Sequence, residues 1–210
     1  MSAVSPPPPP AAAPAPSDYP ATFTFDSPGT VARWRPLIHW LLVIPHVIVL
    51  YVLNLVAGIL VFVAWIVGVI TGKIPEGIQG LIVAALRYGA RVQTYMLFLR
   101  GEYPPFAFDT EFTDPGTDAR VRLDFQPEIE NRSRLTIFFR GLLLIPHFFV
   151  FFFLAIAMYV VVIIGWFAVI ILGRWPSGLE SFVVGFIRWM ARFNAYANLL
   201  TDKYPPFGLK

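Results

Sequence analysis

The sequence predicts an all-α integral membrane protein of two tandem repeats, each a long transmembrane helix plus an Arg-bearing second helix, with a small antiparallel β-sheet at the membrane surface. Three observations predict it. Charged residues are only 14% of the 210 while apolar ones reach 57%, against roughly 25% charged in an average soluble domain. Leu37 to Gly72 and Gly141 to Gly173 contain no Asp, Glu, Lys or Arg. Residues 33–106 align with 134–207 at a constant offset of 101 without a gap, with 24 identities in 74 positions. So few charges could not cover a water-soluble chain of this size, and they argue against nucleic-acid binding despite a pI near 9.3. The lack of cysteine excludes a disulfide framework, a thiol nucleophile and a Cys-based metal site.

Residues 1–18 are Pro/Ala-rich low complexity, with no Lys or Arg and no apolar core. They read as a disordered, extended tail rather than a signal peptide. Repeat one with its leading strand occupies 19–106, a β-strand linker 107–133, and repeat two 134–210. Ala21–Phe25 alternates with period two, as a strand does.

Each charge-free run exceeds the roughly 20 residues needed to cross a bilayer. Asn54 and Gly58 offer a turn in the first run, but Ala155 and Tyr159 at the equivalent places do not. Each run is therefore one continuous helix, with Pro45 and Pro146 in its first turn and Gly72 or Gly173 after it. The preceding residues form a lead-in, and Trp34, Trp40 and Trp175 are interfacial anchors. Glycines 58, 68, 72, 165 and 173 read as close-packing positions.

After the Gly/Pro turns GKIPEG and GRWPSG come Ile78–Leu99 and Leu179–Leu200. Arg87 and Arg91 share one helix face, as do Arg188 and Arg192, four residues apart in each copy. Such a helix either lies in the interface or spans with its arginines turned inward. Arg33 and Arg35 before the first run outnumber Lys73 after it, and Arg132, Arg134 and Arg140 outnumber Arg174. This bias gives both runs a cytoplasmic N-terminal side. The chain must then cross back, predicting four crossings, a multi-pass cell-membrane location, and cytoplasmic termini.

Gly101–Ser133 is acidic, with eight Asp and Glu against three Arg. Phe106, Phe108 and Phe112 fall on one strand face, and Val121, Leu123 and Phe125 alternate with Arg120, Arg122 and Asp124. Asp114-Pro115-Gly116 supplies the turn. The acids read as a solvated strand face rather than a metal site.

The pattern W-x-P-L-x-x-W-L-L-x-I-P-H, a long apolar helix, T-G-x-x-P-x-G, R-x-x-x-R and a closing Y-P-P-F resembles the domain of unknown function 4389 family. The likeness runs from Tyr19 to Phe207, and IPH and YPPF are its most specific parts. Copy one departs by having His39 opposite Arg140. The resemblance implies tandem membrane repeats, bacterial and largely actinobacterial, with no assigned activity and no catalytic residue to carry over.

Arg87, Arg91, Arg188 and Arg192, with Tyr95 and Tyr196 a turn further on, are the candidate lipid- or anion-binding residues, since guanidinium pairs match phosphate geometry. The alternative is pairing with Glu76 or Glu180. His46 and His147 open the two long helices and are weak candidates for metal or haem ligation, although two imidazoles leave a metal site incomplete. No carboxylate lies within a long run, and no nucleophile elbow or phosphate loop occurs. The expectation is a non-catalytic scaffold or accessory subunit needing no cofactor. Its partners would be membrane lipids, a protein at the cytoplasmic sheet, and further copies of itself. The alternatives are a lipid-binding or small transport protein, and a haem or metal protein.

Overall fold

A computed structural model describes residues 19–209; the tail 1–18 lies outside the described residues. Strand β1 (Ala21–Phe25) pairs antiparallel with β2 (Val121–Phe125), Phe23 opposite Leu123. Ala21, Phe23, Val121, Leu123 and Phe125 turn one face into the core, while Arg122 and Asp124 lie on the other. Helix α1 (Arg35–Leu42) leads into α2 (Ile44–Thr71), which turns back through α3 (Glu76–Met96). Repeat two follows β2 with α4 (Arg134–Phe138), α5 (Arg140–Leu143), α6 (Ile145–Leu172) and α7 (Ser177–Ala197). Helix α3 packs along β2, α7 along β1, and α3 touches α7. Helices α2 and α6 lie on α3 and α7 respectively. The chain stacks sheet, Arg-bearing helices and long apolar helices in that order.

Each long helix is continuous over 28 residues, about 42 Å. Pro45 and Pro146 sit in the first turn, where no N–H is needed. Gly72 and Gly173 end the helices with φ 71°, the left-handed conformation that Gly adopts without a Cβ penalty. Those two glycines are thus caps rather than packing positions. Gly68 is a packing position, because a Cβ there would lie 3.1 Å from Ile137. Gly58 faces open space.

Each lead-in docks on the other repeat. Val31 N–H donates to Gly173 O at 2.8 Å, and Arg132 N–H to Gly72 O at 3.0 Å. Trp166 Nε1–H donates to Pro36 O, and Trp65 Nε1–H to Ile137 O. The tryptophan found at the same place in both copies therefore clasps the partner copy's lead-in. This makes the repeats a reciprocal pair about a pseudo-twofold axis through the sheet.

Helices α3 and α7 end on Phe98 and Leu199, both left-handed without being Gly. Such residues cost roughly 1 kcal/mol. Their carbonyls take long-range hydrogen bonds, Phe98 O from Trp175 of the other repeat and Leu199 O from Arg132 of the linker.

Three expectations change. Among the described residues only α2 and α6 are long and apolar enough to cross a membrane. Helices α3 and α7 are interior, sandwiched between the sheet layer and the long helices. Leu81 and Met96 are the large apolar side chains α3 exposes, and α7 exposes none. The described residues thus offer two candidate spans rather than the four expected, because α3 and α7 spend most of their surface on the sheet and the long helices. Phe106, Phe108 and Phe112 form no strand; Phe106 stacks on His46, and Phe108 packs on Tyr88. In place of the expected Glu76 or Glu180, Arg87 and Arg91 pair with linker carboxylates, and Arg188 and Arg192 donate to backbone carbonyls, described next.

Candidate functional site

The arginines sit where α3 and α7 pass the outer edges of the two strands. Arg87 Nε–H donates to Leu123 O at 3.2 Å, Nη1 to Asp109 O at 2.7 Å, and Nη2 to Glu111 O at 2.8 Å. Its Nε also lies 3.1 Å from Asp114 Oδ2, with both side chains fully buried. Arg91 Nη2 pairs with Asp109 at 2.8 Å and Asp114 at 3.4 Å. Asp114 accepts in addition from the backbone N–H of Leu123 and of Gly116. One carboxylate thus joins helix, strand and turn. Burial works to raise the Asp109 carboxyl, but the hydrogen bond and charge of Arg91 outweigh it and hold it below the usual range. Arg100 forms a further buried pair with Asp118 at 2.6 Å.

Repeat two uses its arginines in the same way with fewer charges. Arg188 donates to Phe23 O on the other strand and to Leu209 O, and Arg192 donates to Gly208 O. In both copies a guanidinium binds the strand's outer edge and the chain that follows YPPF. Gly80 and Gly185 allow that chain to lie close, since a Cβ would meet Thr110 O at 2.9 Å or Leu209 O at 2.6 Å. A desolvated guanidinium surrounded by carbonyls and carboxylates is an anchor, and Arg87 has every guanidinium nitrogen engaged. Arg87 and Arg91 are closed to a headgroup. Tyr95 and Tyr196 do not join this face. Tyr95 stacks on His39 at 4.1 Å between ring centroids, and Arg140 lies 4.4 Å over the Tyr196 ring. They seat the lead-in helices. His39 Nδ1–H donates to Tyr95 O, and Arg140, at the same position in copy two, donates to Tyr196 O and pairs with Asp202.

His46 and His147 are enclosed within their own copies. His46 stacks on Phe106 at 4.3 Å and meets Tyr103 at 4.5 Å, with Nδ1 2.6 Å from Tyr88 OH. His147 stacks on Phe207 at 4.2 Å, with Nδ1 2.9 Å from Tyr204 OH. The IPH and YPPF elements are therefore contact partners, with YPPF boxing the histidine. The two imidazoles share no partner, and among the described residues no three His, Asp or Glu are grouped to hold a metal.

One open cavity of about 390 Å³ lies between α2, α3, α7 and β2. Ala57, Gly58, Ala85 and Gly89 leave the space, and Asn54 and Gln93 give it a polar margin. At the four equivalent positions repeat two carries Met158, Tyr159, Phe186 and Met190. Comparing the copies position by position for small-to-large exchanges would have found this cavity in the sequence.

Fold and site together define a mostly helical, tandem-repeat protein with two helices long and apolar enough to cross a membrane. The polar interior is used to hold the repeats together. The chain belongs to the family described as Domain of unknown function (DUF4389), whose family model matches it twice, at residues 33–107 and 134–208. No curated protein and no solved structure matches it.

Proposed function

We propose that the protein is a non-catalytic membrane scaffold or accessory subunit that presents the outer face of its sheet to a protein partner. The observation that carries this is the division of the molecule. The exposed apolar side chains concentrate on the long helices and their lead-ins, and the opposite layer offers Arg122 and Asp124 on a sheet face. The interior arginines stiffen the layer between. The test places a photocrosslinking residue at Arg122 in one variant and at Leu55 in another, in native membranes. Arg122 should give one stoichiometric protein adduct, lost when Asp124→Lys is added, while Leu55 gives lipid adducts. Lipid adducts alone from Arg122 would overturn the reading.

The cavity favours a second reading, binding of a lipid acyl chain beside α2. Gly58→Tyr would place a ring at the margin of the space, and a Cβ at Gly58 meets nothing within 4 Å. Lipid that co-purifies with the wild type should then be lost. Unchanged lipid content would remove this reading.

A further inference from the structure

We infer that α2 and α6 lie in the plane of one membrane leaflet, side-on to the bilayer, so that the protein is held by a single face and crosses nowhere. The inference rests on the membrane reading above.

The first ground is how α2 is covered. Its buried residues His46, Ala57, Ala64 and Gly68 form one stripe running from its first turn to its last. The body of the protein accompanies the helix over its whole length, and the rest of the circumference is exposed. The second ground is the path of the linker. Tyr103 and Phe106 pack on His46 at the start of α2, and Arg132 N–H bonds Gly72 O at its end. The same hydrophilic segment therefore travels the length of the helix. Between those contacts it exposes Glu111, Arg122 and Gln126. Were α2 perpendicular to the bilayer, this irregular, charged chain would stand at the depth of the hydrocarbon. Neither exposed loops nor unpaired charges are tolerated there.

The third ground is the reciprocal docking of the repeats. Each lead-in starts at the end of the other copy's long helix, so α2 and α6 run in opposite directions about one axis. Both lie on the far side of α3 and α7 from the sheet. Trp40, Leu135 and Leu142 on the lead-ins extend the apolar surface they share. At its rim cations of the two copies meet, Arg33 beside Gly173 with Arg174 next in the chain, and Arg134 beside Gly72 with Lys73 next in the chain, where Glu130 pairs with Lys73. Cations that precede one long helix thus sit with cations that follow the other. The flanking-charge bias seen in the sequence reports a basic rim suited to anionic headgroups, not two sides of a membrane. A helix about 10 Å wide fits within one leaflet of a core roughly 30 Å thick.

The chain has no cysteine, so single probes are easily placed. Ile48, Leu55 and Phe62 are 61%, 58% and 62% exposed and share one face of α2 by their spacing of seven. Variants Ile48→Cys, Leu55→Cys and Phe62→Cys of the full chain would carry a fluorescent label in vesicles of phosphatidylglycerol and phosphatidylcholine. Depth is then read by lipid-borne quenchers at graded positions. The in-plane arrangement requires three depths within about 5 Å of one another, because the probes sit on one line parallel to the surface. A spanning helix would separate the outer two by about 20 Å along the normal, and that gradient would overturn the inference while leaving the membrane reading intact. Failure to bind vesicles would overturn both. Labels shielded from every quencher in a dimeric species would show two copies stacked base to base, which also refutes leaflet insertion.

Discussion

Asp114→Asn tests whether the arginine lattice is structural. The substitution keeps the volume and removes the charge. Asp114 lies against Arg87 at 3.1 Å and Arg91 at 3.4 Å with no exposed side chain, so no solvent screens the loss. It also accepts two backbone N–H bonds, one of which an amide NH2 would oppose. Breaking a buried pair from one side typically costs about 3–5 kcal/mol, because the remaining charge stays buried. For a chain of this length, each kcal/mol lowers the unfolding midpoint by about 2–4 °C. A fall of roughly 6–20 °C is expected, read by tryptophan fluorescence of the full chain in mild detergent. Asp109→Asn is the control. Its carboxylate is 18% exposed, and its loss should cost clearly less. Arg87→Met combined with Asp114→Asn should cost less than the sum of the two, since they share one interaction. A midpoint for Asp114→Asn within 2 °C of wild type would refute the lattice. It would return the arginines to the role of available anion ligands.

Two further expectations follow from differences between the copies. A Cβ at Gly165 would overlap the Trp175 ring, where repeat one pairs Ala64 with Ile74. Gly165→Ala alone should cost about 1–3 kcal/mol through overpacking, and Gly165→Ala/Trp175→Ile should recover part of it; denaturant midpoints decide, and an uncoupled pair would sink the explanation. His39 is 1% exposed, and burial lowers it to about 4, partly opposed by its bond to Tyr95 O. Below pH 6.5 the unfolded chain takes up a proton at His39 that the folded chain refuses, so stability declines between pH 6.5 and 4. The full effect is about 3 kcal/mol, and His39→Gln should flatten that part of the pH–stability curve; an unchanged slope would remove His39 as the cause.

The repeat, the unbroken long helices and both strands were legible because each depends on local pattern. Proline and glycine mark the ends of α2 and α6, and period-two alternation marks β1 and β2. The depth of α3 was not legible. Its arginine stripe fits an interfacial face or a buried one equally well, and what distinguishes them is the linker that lies on it. Asp109 and Asp114 lie in that linker, outside the aligned residues 33–106 and 134–207, so the repeat could not reveal them as the arginines' partners. The phenylalanines at 106 and 108 mimic a strand because aromatic packing on His46 and Tyr88 happens to use alternating positions, and Phe112 joins the main core instead. The pairing of IPH with YPPF was visible in hindsight, since both recur at the offset of 101. Their contact spans some 57 residues in each copy and depends on α3 or α7 turning back along the long helix.

The two copies diverge in matched sets rather than singly. His39 stands where repeat two has Arg140, and Gly101 where it has Asp202, so the neutral ring needs no counter-charge and the guanidinium receives one. Ala64 and Ile74 answer to Gly165 and Trp175, which exchange volume across the same contact. Tyr88 serves His46 where Tyr204 serves His147, because Trp189 occupies the first position in repeat two and has no acceptor-donor hydroxyl to offer. Each exchange preserves the contact it alters. The small residues around the cavity break that rule. Ala57, Gly58, Ala85 and Gly89 have large counterparts in repeat two and nothing in repeat one fills the space they leave. A void next to so many compensated exchanges costs packing energy with no structural return. The asymmetry of the repeats is therefore informative where their symmetry is not, and the cavity margin at Asn54 and Gln93 is where a ligand of repeat one alone would be sought.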